Sequence, residues 1–279
     1  MEQQRTETRS ITAEQRKRVE ESCFHSLALI GRNCEYLEQH FDRTGADEPA
    51  RQAVADISTA AMQLDRTLSG AMTLLDFLRE DTKPQLYPID LCELLQQVAA
   101  QSDMIRAQLG VDIRLDYGGC TACCVMADRR DAELLCLHLL SNALRASREG
   151  GSVCIALRRN ESGWQLTVTD DGCGLPGQDA QAALENRRSF LGGAQLGLLL
   201  CRECCRRMDW SLQLKSAPAK GTQAVVNIPL YAGESRPDGT VELRTDSETE
   251  REQRKYHLRA MLVREMRTMP ERGDPEEEF

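Results

Sequence analysis

Six alternating residues that run into a carboxylate and two glycines constrain this chain more than any other feature. Trp164-Gln165-Leu166-Thr167-Val168-Thr169 puts an apolar side chain on every second position, the pattern of a strand with one buried face. It leads straight into Asp170-Asp171-Gly172-Cys173-Gly174. A carboxylate fixed at a strand end can accept a hydrogen bond from an exocyclic amine. Glycines let the backbone approach a flat ligand where any Cβ would collide. Asp-x-Gly-x-Gly also occurs in ordinary turns, so the pattern gains meaning only from a matching pocket on either side.

Both sides supply candidates. Upstream, Val111–Leu115 and Cys124–Ala127 read as strands, and Arg130–Ala146 as a helix whose Leu134, Leu135, Leu139, Leu140 and Ala143 point inward. His138 and Asn142, four residues apart, share a face with Arg145. An asparagine in so apolar a helix needs a polar partner, and a metal ion with phosphates would supply one. Gly150-Gly151 turns the chain into a strand over Ser152–Arg158. Downstream, residues 177–189 are polar and aperiodic, as a lid would be. Gly192-Gly193-Ala194-Gln195-Leu196-Gly197 opens a helix to Met208, where backbone N–H groups and the dipole favour phosphate. Strands over Ser211–Lys215 and Gln223–Ile228 flank Gly221-Thr222. With a further helix over Ile89–Leu109, the order predicts an α/β sandwich with helices on one face of a mixed sheet.

The N-terminal part has another logic. Residues 1–13 are polar and expected to be disordered. Residues 14–82 hold two long helical patterns. One carries the stripe Cys23, Leu27, Ile30, Cys34, Leu37, Phe41; the other carries Val54, Ile57, Ala61, Leu64, Leu68, Met72, Leu75, Leu78. Two such seams bury too little alone, and dimerisation into a four-helix bundle is the expected completion. His25 lies off the stripe and should face solvent, as a surface residue or as a nucleophile towards phosphorus. Residues 83–88, with Pro84 and Pro88, read as a linker to a domain over 89–231. Residues 232–279 form a charged tail, with a helix over 247–268 expected to be largely solvated.

Net charge −9 argues against nucleic acid as a partner. Nothing resembles a signal peptide, and no apolar run reaches the roughly 18 residues of a membrane span. The expectation is a cytoplasmic protein without direct membrane insertion. Twelve cysteines then read as reduced, core-type thiols. Cys120, Cys123 and Cys124 with Cys201, Cys204 and Cys205 have the outline of a split zinc site, but the second group falls inside a helical pattern.

Four blocks in this order resemble the ATP-binding domain of sensor histidine kinases, within the superfamily that includes type II topoisomerases and heat-shock chaperones. Leu134 to Ala143 is similar to the N box, Asp170 to Gly174 to the G1 box, and Gly193 to Gly197 to the G2 box. Ser216 to Thr222 is similar to the Ser-x-x-x-x-Gly-Thr stretch near the domain's end. The resemblance implies ATP and Mg²⁺ as cofactors. Asp170 would read the adenine amine, with Thr222 assisting through water. Asn142, with His138 beside it, would hold Mg²⁺ and phosphate oxygens. Arg145, Gly172, Gly174, Gly193, Leu196 and Gly197 would shape the pocket, and the lid cations Arg187 and Arg188 would meet phosphate. Residues 14–80 are then similar to the family's dimerisation hairpin. That implies His25 as phosphoacceptor, a homodimer, and a response regulator as partner. The chain departs from the family in several places. Ser26 follows His25 where an acid is usual, His138 replaces the first N-box asparagine, and Gln195 replaces a G2 glycine. Only Phe190 remains of the lid's aromatic pair, and Asp209-Trp210 replaces Gly-Gly. These changes fall on the phosphate side, so an ATP-binding adaptor or phosphotransfer protein stands beside the kinase. An anti-sigma-type serine kinase fits less well, because it would not need the hairpin.

Overall fold

The computed structural model describes residues 13–79, 82–102, 109–174, 194–217, 220–231 and 247–266. The chain divides into two compact units, Met1–Leu68 and Ser69–Phe279. In the first, α1 (Ala13–Thr44) and most of α2 (Glu48–Phe77) are joined by a turn at Gly45, whose φ of 76° suits a residue without Cβ. Arg51 fastens the turn, donating to the Asp42 carboxylate at 2.9 Å and the Phe41 carbonyl at 2.8 Å. Cys34, Val54 and Ala61 are buried, yet Leu29, Ile30, Leu37, Ile57 and Leu64 remain exposed.

The second unit is a sandwich of helices on a mixed sheet. Its strands are β1 (Tyr87–Asp90), β2 (Asp112–Asp116), β3 (Cys124–Ala127), β4 (Ser152–Asn160), β5 (Gly163–Asp170), β6 (Ser211–Ser216) and β7 (Thr222–Pro229). Its helices are α3 (Leu91–Gln101), α4 (Arg129–Ala146), α5 (Ala194–Arg207) and α6 (Glu248–Met266). The five-stranded sheet runs β2-β4-β5-β7-β6, parallel between β2 and β4 and antiparallel elsewhere. Alternation decides its faces. Val153, Ile155 and Leu157 on β4 and Trp164, Leu166 and Val168 on β5 are buried, with α4 packed against both strands.

Two expectations need correction. The 83–88 linker is shorter, because Tyr87–Asp90 pairs antiparallel with Cys124–Ala127 in a two-stranded ribbon. Pro88 is tolerated there because, among the described residues, the ribbon is two-stranded with a free edge. The helix expected from Ile89 therefore starts at Leu91. Asp90 caps it, accepting from Cys92 N at 3.0 Å. The tail helix is also less solvated than its charge suggested. Its capping box forms as expected, with Ser247 N and Oγ both donating to Glu250 Oε2 at 2.8 and 2.9 Å. Leu258, Leu262 and Met266 recur every fourth residue and are buried, packing α6 on α3 and α4. A stripe that narrow is outvoted by charge in composition but still covers a neighbouring helix.

Candidate functional site

Asp170 ends the row Trp164, Leu166, Val168 on the buried face of β5, and its Cα pairs with Val153. Period two therefore carries its carboxylate under the helical layer, where it is 6% exposed. Oδ1 accepts from Gly172 N at 3.0 Å and from Thr222 N at 3.1 Å. Both bonds use Oδ1, so Oδ2 keeps its capacity to accept from a ligand amine. Burial pushes the carboxyl above its usual range, while the Gly172 and Thr222 amides act the other way. Asp171 next to it is exposed, and its Oδ2 accepts from Ser152 N at 2.7 Å, pinning the start of β4. Adjacent residues thus take opposite tasks, because they fall on opposite sides of the pleat.

The glycines have a structural task besides any room they give a ligand. A Cβ on Gly172 would collide with the carbonyl of Ala146, at the end of α4. A Cβ on Gly174 would strike the carbonyl of Ala217, and one on Gly221 the carbonyl of Asp170. Gly174 and Gly221 also have φ of 69° and 75°. The glycines let three backbone segments close around Asp170. Ser216 joins in, its Oγ bonding the Gly221 carbonyl at 3.1 Å and the Thr222 hydroxyl at 3.0 Å.

The second wall is α4. Asp128 caps it, accepting from Arg130 N and Asp131 N at 3.0 and 3.3 Å, while Oδ2 accepts from Gln85 N at 2.8 Å. His138 and Asn142 meet α5 at Gly197, where an added Cβ would lie 3.6 Å from His138 Nδ1 and 3.6 Å from Asn142 Oδ1. His138 is 6% exposed. Asn142 Nδ2 is enclosed and has no hydrogen-bond partner among the described residues. Arg145 is half-buried in the last turn of α4. Leu196 packs on Gly70 of α2, where a Cβ would overlap it. Of the remaining candidates, Arg187, Arg188, Phe190 and Gly193, with all of residues 177–193, lie outside the described residues.

On the hairpin, His25 is exposed, as its position off the stripe implied. Ser26 Oγ donates to the Ser22 carbonyl at 2.9 Å, so this hydroxyl is turned to its own helix backbone. The second cysteine group lines the core: Cys201, Cys204 and Cys205 are buried with Cys136, and burial pushes the Cys136 thiol up to about 12. A further cluster escaped sequence reasoning. Arg207 Nε lies 2.6 Å from Asp131 Oδ2, its Nη1 donates to the Thr82 carbonyl at 2.7 Å, and its guanidinium stands 4.4 Å from the Phe77 ring centre. Only charge at a helix start and a helix end announced it.

Residues 127–232 match the family described as histidine kinase-, DNA gyrase B-, and HSP90-like ATPase. Residues 127–232 form a histidine kinase-type ATPase domain. Alginate biosynthesis sensor protein KinB of Pseudomonas aeruginosa is 30% identical over 196 residues, 67% of this chain and 33% of that protein. Sensor-like histidine kinase SenX3 of Mycobacterium tuberculosis is 21% identical over 202 residues, 68% of this chain and 49% of that one. The chain thus spans about a third to a half of the length of these curated relatives. Full-length ShkA in complex with AMPPNP superposes with a TM-score of 0.57 at 20% identity, over 78% of this chain and 46% of that one. Histidine kinase ThkA in complex with response regulator protein TrrA gives 0.54 at 18% identity, over 81% and 64%. At such identities the superpositions show the fold, a helical hairpin followed by an α/β domain with a mixed sheet. No helix among the described residues is long and apolar enough to cross a membrane.

The ATPase domain's donors can be tested against Mg²⁺. The ion takes oxygen ligands. Asn142 offers Oδ1 beside an enclosed amide nitrogen that lacks a hydrogen-bond partner among the described residues, and it fits. His138 offers nitrogen, which Mg²⁺ disfavours, and fits less well.

Proposed function

We propose that this chain is an ATP-dependent protein histidine kinase that phosphorylates His25 and passes the phosphoryl group to an aspartate of a response regulator. One observation supports it above the rest: the buried Asp170 carboxylate, with Oδ1 occupied by Gly172 and Thr222 and Oδ2 left to read an exocyclic amine. Relatives named as sensor kinases, and a superposable kinase bound to a response regulator, favour the same class.

In this reading an imidazole nitrogen of His25 attacks the γ-phosphorus in line, forming the N–P bond as the bond to ADP breaks and ADP leaves. His25 is exposed, so its imidazole can exchange its proton with water where no acid follows it in sequence. Asn142 would hold Mg²⁺ through Oδ1, which supplies charge neutralisation at the phosphates when bound. Arg145 from α4 and the lid residues Arg187 and Arg188 would meet phosphate oxygens as charge shifts to the leaving group. Gly193 and Gly197 would keep the start of α5 open to phosphate. The exposed apolar residues of α1 and α2 would be covered by a second copy in a four-helix bundle.

A second reading, an ATP-binding adaptor that regulates a two-component pathway, is favoured by Ser26. Its hydroxyl is committed to Ser22 and offers His25 no carboxylate to accept the imidazole proton. Nucleotide binding with and without Mg²⁺, followed by an acid-labile phosphate assay on wild type and His25→Ala, decides between the two. Label that vanishes in the variant supports the kinase. Binding without label supports the adaptor, and absent binding would remove both.

A further inference from the structure

The joint between α3 and the loop before β3 brings two cysteines together. Asp90 Oδ1 accepts from Cys92 N and from Cys123 N, both at 3.0 Å. Leu91 N donates to the Cys123 carbonyl at 2.8 Å, and Cys120 N to the Tyr117 carbonyl at 2.9 Å. Tyr117 Oη donates to the Cys92 carbonyl at 3.4 Å. These bonds tie the first turn of α3 to residues 117–123 and set the two thiols beside each other, with Cys120 a hydrogen-bonding neighbour of Cys92. Cys92 is 2% exposed. Cys120 is half-buried at the edge of the core, with its Sγ donating to the Ala122 carbonyl at 2.8 Å.

We propose that Cys92 and Cys120 are a modification site of this protein, a dithiol pair that a peroxide converts reversibly to a disulfide. The asymmetry of exposure assigns the roles. Burial, with Asp90 and Cys120 nearby, pushes the Cys92 thiol up to about 12, so Cys92 stays protonated while the solvent-reachable Cys120 meets the oxidant. Cys120 gives up its thiol proton and the thiolate attacks one peroxide oxygen, breaking the O–O bond; the leaving hydroxide takes up a proton, so a sulfenic acid and one water result. The Cys92 sulfur then displaces the hydroxyl, which leaves with the Cys92 proton as a second water. Two thiols are oxidised by two electrons, and the peroxide is reduced to two waters. A dithiol reductant reverses the step by exchange.

The disulfide would close the loop between residues 92 and 120. It would clamp α3 to the strand that leads to Asp128, the cap of α4. The site lies on different residues from the nucleotide pocket, so it stands whether or not the proposed kinase reading does.

The full chain treated with hydrogen peroxide and digested without reductant tests it. The expected product is a peptide pair joined through Cys92 and Cys120, two hydrogens lighter than the dithiol and separated by dithiothreitol. The oxidised protein should melt on the order of 5–10 °C higher, an increment that Cys120→Ser removes. In Cys92→Ala the sulfenic acid on Cys120 has no resolving partner, so labelling by dimedone should rise well above wild type. The proposal fails if Cys120 is recovered as a sulfinic acid in wild type. It fails equally if Cys120 pairs with Cys123 or Cys124, or if dimedone labels wild type and Cys92→Ala alike.

Discussion

Nearly every side chain of α4 is buried, whereas among the described residues of α1 only Cys34 is. The two helices differ in what surrounds them. The sheet, α3, α5 and α6 all pack on α4, so it can hold Arg129 and Glu133 in an ion pair at 3.0 Å with under a tenth of either side chain exposed. The hairpin leaves Leu64 60% and Ile57 53% exposed. The sandwich buries its core within one chain, whereas among the described residues of the first unit nothing covers the hairpin's apolar seam. A change in the sandwich should therefore register as lost stability, and a change on the hairpin as altered assembly or chemistry.

The largest effect should come from Arg207→Ala, which leaves Asp131 buried without its partner. The expected loss is about 3–5 kcal/mol in urea unfolding. Burial raises the Asp131 carboxyl above its usual range and Arg207 opposes that shift, so removing Arg207 raises it further. A raised carboxyl favours the folded state below its unfolded value and loses that stabilisation as pH rises through its folded value. The variant's deficit should therefore be greatest at neutral pH and shrink in acid. The hairpin counterpart, Arg51→Ala, removes a pair whose side chains are 37% and 71% exposed, and should lose under about 1 kcal/mol. Equal losses would erase the contrast.

Asp170→Asn sharpens it within the sandwich. The amide oxygen can still accept from Gly172 and Thr222, but an Nδ2 donor would replace the Oδ2 acceptor that the proposed reading turns to the adenine amine. Nucleotide affinity in calorimetry should fall on the order of 10–100-fold, the worth of one hydrogen bond to a charged group. Stability at neutral pH should not fall, because the raised carboxyl of Asp170 is a liability once ionised and the variant has no charge to bury. A lower melting temperature with intact affinity would make Asp170 a structural residue.

On the hairpin, Leu64→Lys should halve the mass seen by light scattering or weaken self-association about 10–100-fold, the equivalent of one buried leucine. The melting of the ATPase domain should stay unchanged. His25→Ala should have the smallest effect on stability, within about 0.5 kcal/mol, because the side chain is exposed. Its consequence belongs in the phosphate assay alone.

Much of this was legible in sequence. Period two on Trp164 to Val168 placed the strand and set Asp170 on its buried face, and Ser247 with Glu250 announced the start of α6. The i, i+4 spacing of His138 and Asn142 put both on one side of α4. What escaped was everything that depends on distant segments meeting. Pro88 concealed β1 until Cys124–Ala127 supplied its partner strand. The charged residues of α6 masked a stripe whose worth depends on the face of α4 it covers. Gly172 and Gly174 read as room for a ligand, and only the carbonyls of Ala146 and Ala217 reveal what they avoid.

Local pattern thus determined the long helices and the strands of the five-stranded sheet, and which residue types gather in the four blocks, because backbone geometry fixes periods of 2 and 3.6 without reference to the rest of the chain. Tertiary structure alone decided that Asp170 is buried with Oδ1 held by Gly172 and Thr222 and that Asp171 is a strand pin, that Arg207 serves Asp131, and that Cys92 lies beside Cys120. Each of these depends on burial and on partners far away in sequence, and neither is written in the spacing of the residues themselves.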